Sequence, residues 1–368
     1  AARATEHGAW FRLAGAVMRR PGLVALATAA VLLAVALPSL RLALAPAGAR
    51  ALPSSAQPRQ VAEALSHEFS ADGSQTITMV LRAPAAGAAT VAEIARRAWQ
   101  SAGSQASIGG SRYLGRGTWE IEMLPRGTDG TPANQRLIKR LRALAAPPRL
   151  LVGGATAAFV DQKAAIATHA ALALLILALV TGSFLFLMTG SLVLPLIALA
   201  MNLLTVAVGA ALLVAIFQDG HLSGLLGFTP IGGLEESNLV LLFVVAFALS
   251  TDYGVFLFSR IKEAHDDGMP TSEAVAFALE RMGRIVTAAA LLFCVAIGAF
   301  STSHIFFIKE LGVGAALAVA IDATVVRALL VPALIGWLGE RAWWAPKPLR
   351  RLHGRFGLRE GELGGAHA

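Results

Sequence analysis

Two residues at the end of a long apolar run, Asp252 and Tyr253, have side chains that could transfer a proton. They follow the stretch "NLVLLFVVAFALST", and Asp252 lies eight residues before Arg260. In a helix this spacing places the carboxyl group about 12 Å inside the membrane boundary that Arg260 marks. An ionised carboxylate at that depth is costly, so we expect Asp252 to face a helix bundle and to exchange a proton near neutral pH.

A second acid, Asp322, lies within "AVAIDATVVRALLVPAL" and precedes Arg327 by five positions. Five residues turn an α-helix through about 140°, so we expect the two not to share a face and to find partners on other helices. Each acid could instead serve only to fix helix packing, and Arg327 could pair or extend toward the interface. Tyr253 could relay a proton, hold Asp252 by a hydrogen bond, or be a packing aromatic residue.

These residues must be positioned by membrane-spanning helices. The chain is 56% hydrophobic and only 15% charged, which excludes an ordinary soluble domain. About 20 apolar residues span a bilayer as a helix, and six predominantly apolar runs approach or exceed that length. The predicted spans are residues 22–40, 170–188, 192–217, 239–258, 285–301 and 311–338. Small residues in "GVGAALAVA" of the last span are typical of close helix contact.

The long segment between the first two spans predicts a separate α+β domain. After "APAGARALPSSAQPRQ" the pattern indicates helix 57–69, strand 75–83, helix 89–102, strands 105–114 and 118–124, helix 131–145 capped by Thr131, and strand 149–152. From strand 75–83 onward the order is β-α-β-β-α-β, which is the ferredoxin-like arrangement. The fold class is therefore an α-helical membrane protein with one ferredoxin-like α+β domain between helices one and two.

Basic residues near the helix ends predict the orientation, because positively charged loops stay in the cytoplasm. They precede the first span, fill the loop between spans four and five, and follow the sixth: Arg12, Arg19, Arg20; Arg260, Lys262, Arg281, Arg284; Arg341, Lys347, Arg350, Arg351, Arg355. Both termini are thus expected to be cytoplasmic and the α+β domain extracytoplasmic. Lys309 and His304, at the outer helix ends, are expected to be interfacial anchors.

The division of the chain follows from the spans and this orientation. We predict a cytoplasmic interfacial helix at 1–21, transmembrane helix one at 22–44 and an extracytoplasmic domain at 45–168. A five-helix bundle at 169–338 and a basic cytoplasmic tail at 339–368 complete the chain. The formal net charge of +8 fits contact with anionic lipid rather than nucleic acid, since the basic residues lie beside spans.

No motif of a soluble enzyme is present: the sequence has no G-x-S-x-G, no phosphate-binding loop and no histidines at metal-ligand spacing. We therefore predict no enzymatic activity, cofactor or metal. Two membrane aspartates followed by "PAL" are also found in intramembrane aspartyl proteases. However, the second acid and "PAL" share one helix, and no glycine-x-glycine precedes Asp322, which disfavours that interpretation.

Several segments together resemble the MMPL family (mycobacterial membrane protein large type) of the RND superfamily of transporters. They are "RALPSS", "LLVGGATAAFVDQ", "FALSTDYGVFLFSRIKEAHDDGM", "RMGRIVTAAALLF", "KELGVGAALAVAIDATVVRALLVPAL" and "WWAPK". The resemblance covers nearly the whole chain. It implies a fold of two similar halves, each with six helices and one outer porter domain. "ALSTDYGVFL" and "WWAPK" are more similar to the second, C-terminal half. The family's arginine between helices two and three is replaced by "MTGS".

The resemblance implies export of lipids or other hydrophobic molecules, driven by the proton gradient, in the bacterial inner membrane. Asp252 and Tyr253 would be this half's proton relay, with Asp322, Thr251 and Ser250 as weaker candidate partners. The implied partners are protons, membrane lipids, a hydrophobic or lipid substrate, and the missing homologous half or an oligomeric partner. Two alternatives stay open: a Sec-type protein-export accessory subunit, and a Patched-like sterol- or lipid-sensing protein without net transport.

Overall fold

The computed structural model describes residues 8–46, 48–68, 76–126, 130–144 and 150–356. The helices are α1 (Ala9–Arg19), α2 (Pro21–Ala36), α3 (Gln57–Glu68), α4 (Ala88–Ala102), α5 (Pro132–Arg142), α6 (Ala155–Thr189), α7 (Val193–Leu213), α8 (Ser223–Leu226), α9 (Glu236–Asp266), α10 (Thr271–Gly298), α11 (Phe306–Ile321), α12 (Val331–Leu338) and α13 (Lys347–Phe356). The strands are β1 (Leu44–Ala45), β2 (Ile77–Arg82), β3 (Ala106–Gly115), β4 (Thr118–Pro125), β5 (Leu151–Gly153) and β6 (Leu234–Glu235).

Six helical stretches of the described chain are long and apolar enough to cross a membrane, so the prediction of a multi-pass membrane protein with six spans is confirmed. They are Pro21–Arg41, Ala155–Thr189, Val193–Gln218, Glu236–Asp266, Thr271–Thr302 and Phe306–Trp343. Most helices are longer than predicted, because a helix continues beyond the last apolar residue wherever charged residues support it. Lys262 and Asp266, for example, pair one turn apart near the end of α9.

The sheet between the first two spans has the strand order β3-β4-β2-β5, and every neighbouring pair is antiparallel. Helix α4 connects β2 to β3, and α5 connects β4 to β5, so the predicted β-α-β-β-α-β order is confirmed. Thr131 caps α5 as predicted, since its hydroxyl accepts a hydrogen bond from the Asn134 N–H at 3.3 Å.

One face of this sheet carries the core of the domain. Ile77, Met79 and Leu81 alternate along β2, are almost completely buried, and pack with apolar residues of α4 and α5. Four predicted end positions, residues 69, 75, 145 and 149, lie outside the described residues, as do residues 1–7 of the predicted interfacial helix and 357–368 of the predicted tail.

The sheet domain and the bundle are joined by two features that the apolar pattern did not predict. Helix α6 begins directly after β5 and runs without a break into the second span. The two-residue strands β1 and β6 pair in parallel, which ties the exit of the first span to the start of α9. Strands this short leave no periodic signal. The end of the bundle nearest the sheet is called the outer end below.

Lys309 was expected to anchor in the interface, and this prediction is wrong. Only 4% of the residue is exposed, and its ammonium group donates to the carbonyl oxygens of Leu226 and Gly227. Gly227 ends α8 in a left-handed conformation, with φ of +63°, which leaves carbonyl groups at the helix end in need of donors. His304 is exposed at the outer end.

The opposite end of the bundle is closed by α1, which packs against α10. The Phe11 N–H donates to the Glu280 carboxylate at 2.7 Å, and a Cβ atom on Gly283 would lie 2.5 Å from the Trp10 ring. The turn between α6 and α7, which contains "MTGS", is fixed by a hydrogen bond to the segment after α12. The Ser191 hydroxyl donates to the Ala342 carbonyl at 2.6 Å.

Candidate functional site

The centre of the bundle contains a buried ion pair. The Arg327 Nε–H donates to the Asp322 Oδ2 atom at 2.6 Å, and the two residues are 6% and 5% exposed. The expectation that these residues do not share a face is therefore wrong. Residues Asp322–Leu330 form a π-helix, whose wider i→i+5 turn brings residues five apart close together.

The sequence after this segment helps to explain the wider turn. Pro332 follows the π-helix and has no backbone N–H, so the ordinary ladder of i→i−4 hydrogen bonds is interrupted there. A short π-helical segment within an α-helix is rare and often occurs at functional sites. The ion pair of the sixth span therefore depends on a local departure from α-helical geometry.

The other oxygen of Asp322 binds hydroxyl groups from two neighbouring helices. Oδ1 accepts from Thr205 of α7 at 3.0 Å and from Ser250 of α9 at 2.8 Å. The Ser250 hydroxyl also lies 2.6 Å from the Asn202 Oδ1 atom. Because a hydroxyl has a single proton, Ser250 can donate to Asp322 or to Asn202 but not to both at once. The Asn202 amide in turn donates to the Thr251 hydroxyl at 2.9 Å.

The guanidinium group of Arg327 has further contacts on α9. It donates to the backbone carbonyl of Ser250 and to the Ser250 hydroxyl, the latter at 3.2 Å. Its central carbon lies 5.4 Å from the centre of the Tyr253 ring, within the range of a cation–π contact. Three of the predicted site residues, Asp322, Ser250 and Tyr253, therefore meet around one buried arginine, and Thr251 joins them through Asn202.

Asp252 does not join this network. The residue is exposed, and the described part of the chain offers its carboxylate no hydrogen bond or ion pair. The expectation that it faces the bundle of this chain is wrong, for a geometric reason. Two residues turn a helix by about 200°, so the side chain that follows Ser250 by two positions points away from the buried face. Tyr253, three positions after Ser250, returns to nearly the same side.

Small cavities flank the ion pair. One, of about 20 Å³, is lined by Asn202, Ser250, Thr251, Asp322 and Arg327 among apolar residues. Another of about 20 Å³ lies between Trp10, Tyr253 and Arg327. Each is large enough for about one water molecule and has polar groups to bind it. The network thus has space beside it for proton transfer through water.

Two members of the network, Asn202 and Thr205, were missed from the sequence. They are polar residues three positions apart in "AMNLLTV", and that spacing puts both on one face of α7. Polar residues on one face of an otherwise apolar span predict a buried contact, and this signal was available. Among the described residues no group of histidine, cysteine, aspartate and glutamate side chains could hold a metal ion.

Comparison with known proteins shows to which family and to which proteins this chain is similar. The model of a family described as "MMPL family" matches residues 116–361. The Streptomyces coelicolor membrane protein SCO6666 is 40% identical over 373 residues, which cover 100% of this chain and 51% of that protein.

Two mycobacterial proteins are also similar to the chain. The trehalose monomycolate exporter MmpL3 of Mycobacterium tuberculosis is 34% identical, over 96% of this chain and 39% of its own length. The heme uptake protein MmpL11 of the same species is 30% identical, over 95% of this chain and 37% of its own length. The chain therefore spans about half or less of the length of these relatives.

Proposed function

This chain belongs to the MMPL family, and we propose that it is one half of a secondary transporter that uses the proton gradient to export lipids or other hydrophobic molecules. The family is one of transport proteins rather than enzymes. The main observation that supports proton coupling is the buried ion pair of Asp322 and Arg327 in the middle of the sixth span. Ionisable residues at membrane depth are rare, and they mark ion pathways and proton relays.

Protonation of Asp322 would change the packing of the bundle through this pair. A neutral carboxyl attracts Arg327 less, and the guanidinium then keeps only Ser250 and the Tyr253 ring, both on α9. Breaking one side of a buried ion pair costs about 3–5 kcal/mol. One proton crossing 100 mV supplies about 2.3 kcal/mol, before any pH difference is counted. The two energies are of the same order, so one or two protons suffice to favour a second arrangement of α9 against α11.

Asp252 and Tyr253 complete the proposed relay. Asp252 lies near the middle of a membrane-spanning helix but on the face that this chain leaves uncovered. A carboxylate at that depth does not face lipid without a large cost, so another protein surface must cover it. We propose that the covering surface is the homologous second half. Asp252 would exchange protons along that interface, while Asp322, Ser250 and Thr251 act as its partners within this half.

The proposed substrate class comes from the relatives and from the fold. One relative is described as an exporter of a glycolipid, and the other as a heme uptake protein; both cargoes are largely hydrophobic. We propose a location in the bacterial inner membrane, with cytoplasmic termini and the domain 45–168 on the outer side. There the sheet domain would receive the substrate while the spans at 22–44 and 169–338 convert proton binding into movement.

The test uses the full-length parent protein in proteoliposomes with an imposed pH gradient and labelled lipids, including a trehalose glycolipid, with heme as a second cargo. Asp322→Asn and Asp252→Asn are each expected to abolish gradient-driven movement, because an amide cannot take up and release the proton. The matched control is Asp267→Asn, which makes the same change at an exposed position just after α9 and should transport normally.

Full transport by both variants, with intact folding and insertion, would refute proton coupling through these acids. Lipid binding without movement in the wild type would favour the sensing alternative instead. Movement of heme but not of lipid would support the proton-coupled mechanism and contradict the assignment of lipids as the substrate class.

A further inference from the structure

A second group of acids lies at the outer end of the bundle, away from the relay. Glu235 and Glu236 stand at the start of α9, and Glu310 lies one turn into α11. They are 9%, 7% and 0% exposed, so all three carboxyl groups are removed from solvent. Buried carboxyl groups in a membrane protein must be paired, protonated or bound to a cation.

The three carboxyl groups differ in their contacts. Glu235 caps α9, and its Oε2 atom accepts from the Asn238 N–H at 2.8 Å, where the helix dipole favours a negative charge. Glu310 accepts a long bond from the Glu235 N–H to Oε2 at 3.4 Å and also interacts with the Asn238 side chain. The Oε1 atom of Glu310 and the Oε2 atom of Glu236 are buried without any partner in the described part of the chain.

No basic side chain of the described residues pairs with these acids. Lys309 is adjacent and buried, but its ammonium group is bound to two backbone carbonyls. His304 is exposed, and α7 has no titratable side chain. In α10 only Cys294 is titratable in the outer half; the charged residues lie in the opposite half. They are Glu273, Glu280, Arg281 and Arg284.

We propose that Glu310 and Glu236 form a proton-binding site at the outer end of the bundle, in which both carboxyl groups are protonated and exchange protons with the outer side. Protons fit this site better than a metal ion, since no described group of acids is arranged to hold one. Two neutral acids beside Glu235 also avoid the repulsion of three buried like charges.

The outer end of the bundle is open to solvent close to this site, although none of the three acids lines the opening. An open cavity of about 520 Å³ is lined by Gly227, His304 and Phe306, together with the segment 50–55. Phe306 lies one turn before Glu310, and the Gly227 carbonyl is bound by Lys309. Glu310 and Asp322 are twelve residues apart on one helical path, so the outer acid lies about 18 Å from the relay along the axis. The inference that this site loads the transported proton rests on the proposed function. The inference that Glu310 and Glu236 are protonated does not.

Infrared spectroscopy of the full-length parent protein at pH 7 tests the protonation directly, because only protonated carboxyl groups absorb at the acid C=O stretch. Glu310→Gln and Glu236→Gln are each expected to remove part of this band. The matched control is Glu263→Gln, which changes an exposed glutamate paired with Arg260 and should leave the band unchanged. An unchanged band in Glu310→Gln, with loss only of carboxylate absorption, would overturn the proposal.

Chemical labelling of the wild type covers the case in which a variant does not fold. Dicyclohexylcarbodiimide adds to protonated carboxyl groups in apolar surroundings, so mass spectrometry should find it on Glu310 or Glu236 and not on Glu263. Absence from both acids would overturn the proposal.

Transport separates this inference from the proposed function. Loss of gradient-driven export in Glu310→Gln, with recovery in Glu310→Asp, supports a loading role, and full export in Glu310→Gln overturns that role. Normal export in both Asp322→Asn and Asp252→Asn would refute the proposed function and leave the infrared result standing.

Discussion

At the scale of single residues, two aspartates near the middle of the bundle have opposite surroundings. Asp322 is bound by an arginine and two hydroxyl groups, whereas Asp252 has no hydrogen bond within the described chain. Asp322 therefore contributes to the stability of this half, since its charge compensates a buried cation. Asp252 contributes nothing comparable, and its retention at membrane depth fits a role at the surface shared with a second half.

The ion pair gives a prediction about stability. Arg327→Met should lower the free energy of unfolding by about 3–5 kcal/mol, because it leaves the Asp322 charge buried and unpaired. The double variant Asp322→Asn with Arg327→Met should recover much of that loss, since a buried pair and a neutral pair are often similar in energy. Equilibrium unfolding of the full-length parent in mixed micelles measures both.

The control for this prediction is Arg260→Met, which removes an exposed partner of Glu263 and should cost no more than about 1 kcal/mol. A double variant less stable than Arg327→Met alone would contradict the account.

Tyr253 can be tested for relay and packing roles separately. Tyr253→Phe keeps the ring beside the Arg327 guanidinium and should change the free energy of unfolding by less than about 0.5 kcal/mol. It removes the hydroxyl, so proton-driven export should fall. Tyr253→Leu loses the cation–π contact as well and should cost about 0.5–2 kcal/mol. Undiminished export by Tyr253→Phe would assign the residue to packing alone.

At the scale of secondary structure elements, the sixth span combines α- and π-helical geometry. The π-helix Asp322–Leu330 aligns residues five apart, which ordinary helical spacing keeps on different faces. The first part of the same span, α11, is built for close approach to its neighbours through small residues. The prediction that "GVGAALAVA" marks helix contact is confirmed by Gly312, which lies against Phe300, and by Gly314, which lies against Leu213.

These two glycines give a matched pair of substitutions on one helix. A Cβ atom on Gly312 would lie 2.6 Å from the Phe300 Cβ atom and 2.8 Å from the Ile297 backbone carbonyl oxygen. The three atoms nearest to a Cβ atom on Gly314 all belong to the flexible Leu213 side chain, the closest at 2.9 Å. Replacing either glycine by alanine stabilises the helical backbone by a similar amount, about 1 kcal/mol. Gly312→Ala should nevertheless destabilise by about 1–3 kcal/mol, and Gly314→Ala by clearly less. Thermal unfolding measures the difference, and equal losses would contradict it.

At the scale of the whole molecule, the chain spans 51% or less of the relatives to which it was compared. It contains one sheet domain and six membrane-spanning helices, which makes a coherent unit. The face of α9 that bears Asp252 is nevertheless left without a covering element in this unit. Under the proposed function a second half covers this face, because a relay that transfers protons between two halves needs both surfaces.

Residues 1–368 alone are accordingly expected to show no gradient-driven export in proteoliposomes, although they insert in the membrane. Co-reconstitution with the remainder of the parent protein should restore it, since the second half would cover Asp252. The measurement compares lipid movement by the fragment, by the two parts together and by the intact parent. Export by the fragment alone at the parent's rate would contradict the proposed division into halves.

The sequence by itself determined the class of the protein and the elements of its fold. Six runs of about 20 apolar residues in one chain match the thickness of a bilayer, so six spans could be predicted directly. The strand and helix order of the sheet domain followed from local periodicity and from the Thr131 cap, because these signals lie within a few residues of one another.

Only the tertiary structure decided which side chains meet. A helical wheel cannot anticipate a π-helix, so ordinary helical spacing placed Asp322 and Arg327 on different faces, whereas the structure brings them together. Polar residues on one face of α7 indicate a buried contact, but the sequence does not show that Thr205 meets Asp322, because their helices are far apart in the chain. The burial of Lys309 depends on the segment around Gly227, and the exposure of Asp252 depends on which face of α9 its neighbours cover. These are properties of packing, and they arise only when the whole chain is assembled.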